Sequence, residues 1–139
     1  MKLVQDIKLT IKRIVHEVRL HWQRFSRPAD RPRVLILPSN QPWDSASNLR
    51  AWLVAKELEK KGWRVLVVPE PLSLKQRKRI IDLERPDVLL LQQTRHILNQ
   101  PKLYRPYPCI LDADDGDFLD PKHKERIAES ARDASAVIG

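Results

Sequence analysis

The sequence is short of the residues that build disulfides, membrane spans and phosphate-binding loops. One cysteine, Cys109, excludes an internal disulfide and fits a reducing compartment. No apolar run exceeds five residues, Ala51 to Ala55, so no segment reads as a bilayer-spanning helix. The chain has three glycines, and neither G-x-G-x-x-G nor G-x-x-x-x-G-K-[ST] occurs, which excludes the two common glycine-rich phosphate loops. No His/Cys spacing suggests zinc, so neither a metal nor a cofactor is expected. The basic N-terminus is broken up by charges and lacks the apolar stretch of a signal peptide, which points to a cytoplasmic protein.

What remains suits one globular core: 139 residues, 42% of them hydrophobic. The formal net charge of +8 is uneven. Residues 1–31 carry eight Lys/Arg against three Asp/Glu, whereas residues 32–139 carry eighteen against fifteen. The basic character therefore belongs mainly to the N-terminal segment, and its partner should be sought there. Within that segment Val4, Ile7, Ile11, Ile14, Val15, Val18, Trp22 and Phe25 recur at helical spacing, so residues 3–25 read as an amphipathic helix. Lys8, Lys12, Arg13, Arg19 and Arg24 fall largely off the apolar stripe. Such a helix suits an anionic membrane surface, with Trp22 and Phe25 as anchors; packing on its own domain or on a partner fits it equally well. Residues 26–32, with two prolines, read as a linker.

From Pro32 onward the pattern alternates. Val34–Leu37, Val65–Val68, Val88–Leu91, Cys109–Leu111 and Ala136–Ile138 read as short strands buried on both faces. Between them, residues 46–61, 73–83 and 121–132 read as helices. The first has Leu49, Trp52, Leu53 and Leu58 as apolar anchors, with Ser45 or Ser47 as cap and Gly62 as stop. Ser73 caps the second, with Ile80, Ile81 and Leu83 facing inward. The expected fold is α/β: a Rossmann-like parallel sheet of about five strands in the order 2-1-3-4-5, preceded by a basic amphipathic helix. The sequence stops just after the last strand, where a covering helix is usual, and so reads as a fragment.

Parallel sheets bind ligands beyond the carboxyl ends of their strands, at the point where strand order reverses. The loops converging there are 38–48, 92–100 and 112–121. The third holds Asp112, Asp114, Asp115, Asp117 and Asp120. Carboxylates this dense can bind a hard cation, accept hydrogen bonds from sugar hydroxyls or raise one another's pKa. They equally make a solvated turn in which Asp120 caps the next helix ahead of Pro121. The first loop presents Ser45, Ser47 and Asn48 at a helix N-terminus, which suits an anion or plain capping. The second presents Thr94 and His96; a histidine there can act as a base, and an exposed histidine without chemistry fits the pattern too. His16, His21 and His123 read as solvated. The basic run Lys75 to Arg79 lacks interleaved aromatics and reads as a solvated helix face rather than a nucleic-acid contact.

Several stretches, in this order and spacing, resemble the N-terminal domain of GT-B glycosyltransferases, family 4 above all. Arg33-Val34-Leu35-Ile36-Leu37-Pro38, the helix from Asn48 to Leu58 and Lys61-Gly62-Trp63-Arg64-Val65 look like that family's opening strand, helix and turn. Arg85-Pro86-Asp87-Val88 resembles the start of its next strand. Pro108-Cys109-Ile110-Leu111-Asp112-Ala113-Asp114-Asp115 is similar to its P-x-v-x-D-x-D-D segment, and Ala134-Ser135-Ala136-Val137-Ile138 to a later strand. The resemblance implies transfer of a sugar from a nucleotide-sugar to an acceptor hydroxyl on a glycan, lipid or small molecule, without a required metal. This half would hold the acceptor. His96 and Asp112 would be its catalytic-side groups; Ser45, Ser47, Asn48, Thr94, Asp114 and Asp115 would line the substrate. Ser45-Ala46-Ser47 stands where family members often carry paired glycines. The donor-binding half lies outside this sequence, so the chain alone is expected to be inactive. Two other readings stand beside this one. Asp112-Ala113-Asp114 also matches the D-x-D of metal-dependent GT-A transferases, and helix 3–25 suits a membrane-surface or protein-binding adaptor.

Overall fold

The computed structural model describes residues 11, 14, 15, 18, 31–41, 44, 48–92, 96–113 and 119–139. The chain divides into two compact units, Met1–Asp30 and Arg31–Gly139. In the first unit Ile11, Ile14, Val15 and Val18 are helical and exposed. The cationic and aromatic residues assigned to a membrane surface (Lys8, Lys12, Arg13, Arg19, Trp22, Arg24 and Phe25) lie outside the described residues.

The second unit is built on five parallel strands: β1 (Arg33–Leu37), β2 (Arg64–Val67), β3 (Val88–Gln92), β4 (Cys109–Asp112) and β5 (Ala136–Ile138). They lie in the order β2-β1-β3-β4-β5, the order expected above. A π-helical turn, Asn48–Trp52, leads into α1 (Leu53–Lys60); α2 is Leu74–Glu84, a 3-10 turn covers Pro101–Tyr104, and α3 is Pro121–Asp133. In this order, the right-handed rule for parallel crossovers requires the β1-to-β2 connection on one face and the later connections on the other.

Local chemistry sets the helix limits. Ser73 makes a capping box with Gln76, its hydroxyl accepting from Gln76 N–H while the Gln76 side chain accepts from Ser73 N–H. Asp120 caps α3 by accepting from Lys122 N–H, and Pro121 fills the first helical position. After α1, Gly62 takes φ +88°, Gly62 N–H donates to Glu59 O, and Trp63 N–H donates to Leu58 O, which is a Schellman stop. α2 ends when Arg85 enters the left-handed region at φ 46°, with Pro86 behind it.

Two expectations about burial need correction. Leu49 and Leu53 are exposed (61% and 40%) rather than anchors; the buried residues of this segment are Ala51 and Ala55, with Trp52, Val54 and Leu58 packed beside them. The π turn widens the first helical turn and so shifts the phase of the apolar stripe relative to a regular 3.6-residue repeat. These residues cover Val34, Ile36, Val65, Val67, Val88, Leu90 and Ile110 on one face of the sheet. β5, expected to be buried on both faces, is exposed along its whole length: it is an edge strand paired only with β4, whereas the other edge strand, β2, is covered by α1.

The amino ends of the strands are tied by charge. Arg64 pairs with Glu84 at 2.8 Å, both nearly buried, and Arg33 donates to the Glu84 carbonyl (3.1 Å). Asp87 accepts from Arg33 N–H at 2.7 Å and returns its own N–H to Arg33 O. Arg85-Pro86-Asp87 thus has a structural task, stopping α2 and fixing β3 beside β1.

Candidate site at the carboxyl ends of the strands

Two polar clusters occupy the carboxyl rim of the sheet. The first joins the exits of β1, β2 and β3 to α2, and Arg77 is its centre. Arg77 is fully buried, in contrast to the solvated basic face expected of this run; Lys75, Lys78 and Arg79 around it are exposed. Its Nε donates to Leu72 O (3.1 Å), Nη1 to Asn99 Oδ1 (2.9 Å) and Nη2 to Glu70 O (2.6 Å). Asn99, also fully buried, donates through Nδ2 to Gln92 O (2.7 Å), Leu37 O (3.1 Å) and Pro38 O (3.3 Å). One guanidinium and one amide therefore fix how three strand exits are spaced.

His96 belongs to this cluster. Leu98 N–H donates to its Nδ1 at 3.1 Å, so the ring proton sits on Nε2 and points at Glu70 Oε1, 2.9 Å away. Glu70 in turn accepts from Gln41 Nε2 (2.9 Å). The 3.3 Å approach of Arg77 Nη2 to the same Nε2 then sets donor against donor and is not a hydrogen bond. Burial first, and the Arg77 charge second, hold the imidazole below its ordinary pKa, against the opposing pull of Glu70. In this arrangement both ring nitrogens are engaged within the protein. For His96 to take a proton from a substrate, the Leu98 bond must open.

The second cluster lies on the α1 side of the sheet. Residues alternate faces along a strand, so Gln92 shares the face of Leu90 and Val88. Asp112 is its register neighbour on β4, about 4.8 Å across in a parallel sheet. Arg50, on the π turn, donates to Asp112 Oδ1 at 2.5 Å. Ser39 N–H, just past β1, donates to Gln92 Oε1 at 3.1 Å. The partner nitrogen, Gln92 Nε2, is buried and has no hydrogen-bond partner among the described residues. π-helical turns concentrate at functional sites, and this one supplies the arginine that pins Asp112.

Of the residues singled out from sequence, His96 and Asp112 both sit at the rim, one in each cluster. Ser45, Ser47, Thr94, Asp114 and Asp115 lie outside the described residues, as does the side chain of Asn48. Among the described residues no three His, Cys, Asp or Glu side chains gather as a metal site requires. No helix of the described residues is long and apolar enough to cross a membrane. His123 is half-buried beside its capping Asp120 rather than solvated.

The chain matches no family profile, no curated protein and no solved structure. The chemistry of the rim therefore stands on geometry alone. It offers an arginine, a buried carboxylate, an uncommitted amide donor and a histidine–glutamate pair around the point where strand order reverses, a set suited to holding a polar, oxygen-rich ligand.

Sequence reasoning missed Gln92, Arg77, Asn99, Glu70 and Arg50. Gln92 carried a usable signal, since a polar residue closing an otherwise apolar strand sits at the carboxyl rim. Arg77 carried none, because its three basic neighbours disguise it.

Proposed function

We propose that residues 32–139 form the acceptor-side half of a GT-B-type glycosyltransferase, holding a hydroxyl-bearing acceptor for a sugar donated by a nucleotide-sugar. The observation that carries this reading is the gathering of Ser39, Arg50, Gln92 and Asp112 at the reversal point of a parallel sheet. Asp112 is buried and held by Arg50, which suits a carboxylate that orients a hydroxyl. His96 with Glu70 shapes the neighbouring wall. The donor phosphates and the remaining catalytic groups belong to a second α/β half. Calorimetric titration with monosaccharides, polyols and nucleotide-sugars tests the reading. Carbohydrate binding without added metal, with nucleotide-sugars bound weakly, is expected. Nucleotide-sugar binding that requires manganese would point to the GT-A alternative, and a protein that binds no carbohydrate is not an acceptor domain.

A second reading concerns the first unit. Ile11, Ile14, Val15 and Val18 form exposed apolar positions on a basic helix, which favours peripheral contact with an anionic membrane through residues 3–25. Removing residues 1–31 should abolish sedimentation with phosphatidylserine vesicles. Undiminished sedimentation after the deletion rules this contact out.

A further inference from the structure

Gln92 is the described residue whose chemistry the fold leaves incomplete in a productive place. Its side chain is fully buried, its carbonyl oxygen is fixed by Ser39 N–H, and that bond determines which end of the amide remains unused. Leaving a buried donor without a partner works against folding. Elsewhere at this rim the fold avoids that cost, as the bonds of Arg77 and Asn99 show. The only other buried side-chain nitrogen without a partner among the described residues is His123 Nδ1, at the start of α3.

Register fixes which side of the sheet the Gln92 side chain shares. Gln92 and Asp112 are paired neighbours pointing to one side of the sheet, below the turn that carries Arg50. An amide donor and a carboxylate acceptor thus occupy paired positions on the same side of adjacent strands. Arg50 and Asp112 neutralise each other, so the pair attracts neither anion nor cation strongly. A phosphate would set its negative charge against the Asp112 carboxylate. A hydroxyl both accepts and donates, and so satisfies the two groups together.

We propose that Gln92 and Asp112 form a subsite for the hydroxyl of a polyol or sugar, with Gln92 Nε2–H donating to the hydroxyl oxygen and the Asp112 carboxylate accepting the hydroxyl proton. The choice of sugar rests on the transferase reading above; the donor–acceptor pair does not. Gln92 then selects ligands by hydroxyl placement, and a deoxy analogue that lacks this hydroxyl leaves Nε2 as it is in the free protein.

The test follows the Gln92 side-chain amide pair in the ¹⁵N-labelled protein, identified by its absence in Gln92→Met. Titration with glycerol, myo-inositol and mannose should move that pair, whereas inorganic phosphate should not. Gln92→Met should weaken polyol binding about tenfold while thermal unfolding stays cooperative. The titration of the unmodified protein keeps the test decisive if the variant folds poorly. Polyol binding with a stationary Gln92 pair overturns the subsite and leaves the carbohydrate-binding reading standing. Absence of polyol binding overturns both. A Gln92 pair that shifts with phosphate, or that contacts a water no polyol displaces, also overturns the subsite.

Discussion

The two clusters at the carboxyl rim are made of similar residues and are finished to different degrees. Around Arg77, each guanidinium nitrogen has a protein acceptor, and Asn99 uses both its amide groups. On the opposite face, Gln92 is equally buried and yet half of its amide is unused. Complete satisfaction suits a group that holds the fold; incomplete satisfaction at the rim leaves a donor open to a ligand. The amino rim supports the same division, with Arg64, Glu84, Arg33 and Asp87 all engaged with one another.

The largest expected effects come from breaking the finished clusters. Arg64→Met leaves the Glu84 carboxylate buried without its partner and should cost roughly 3–5 kcal/mol in urea unfolding, with Arg64→Met/Glu84→Leu recovering most of it. Arg77→Met removes three bonds and leaves Asn99 Oδ1 and the Glu70 and Leu72 carbonyls unpaired, a loss of about 3 kcal/mol by the same measurement. If Arg77→Met proves neutral, the distinction between the two clusters fails.

A smaller effect concerns pH. The folded protein holds His96 below the ordinary value of 6.5, so the unfolded chain takes up the proton first. The stability linked to neutral His96 is complete above that ordinary value and declines as pH falls through it toward the lower folded value. Between about pH 7.5 and 5.5, the thermal midpoint of the wild type should fall more than that of His96→Gln. Equal falls mean that His96 titrates as it does in the unfolded chain.

Gln92→Met should have the smallest effect on stability, within about 1 kcal/mol, because losing the Ser39 bond is offset by removing the unpaired nitrogen. A loss as large as that of Arg77→Met would make Gln92 another structural keystone. Cys109 provides a control for intact folding. Burial raises its thiol to about 11, so modification by a thiol reagent at neutral pH should await unfolding.

Much of the scaffold was legible in the sequence. Apolar runs located all five strands, a common doubly wound order proved to be theirs, and Ser73, Gly62, Asp120 and Pro121 announced the helix limits. The site was legible only as a place. His96 and Asp112 could be assigned to the rim, but whether a polar group is committed depends on partners distant in sequence. Asp112 meets Arg50 across 62 positions, and Gln92 meets Ser39 across 53. Charge counting cannot separate Arg77 from Lys75, Lys78 and Arg79, because only the tertiary path buries one of the four. The exposure of Leu49 was hidden for a local reason, the π turn that breaks the helical repeat.

The most direct measurement of the central claim is backbone and side-chain amide shift mapping during a mannose titration. Shifts concentrated at Ser39, Arg50, Gln92 and Asp112, at the carboxyl ends of β1, β3 and β4, are the predicted result. Shifts centred on Arg33, Arg64 and Asp87 at the opposite ends of the strands would contradict it.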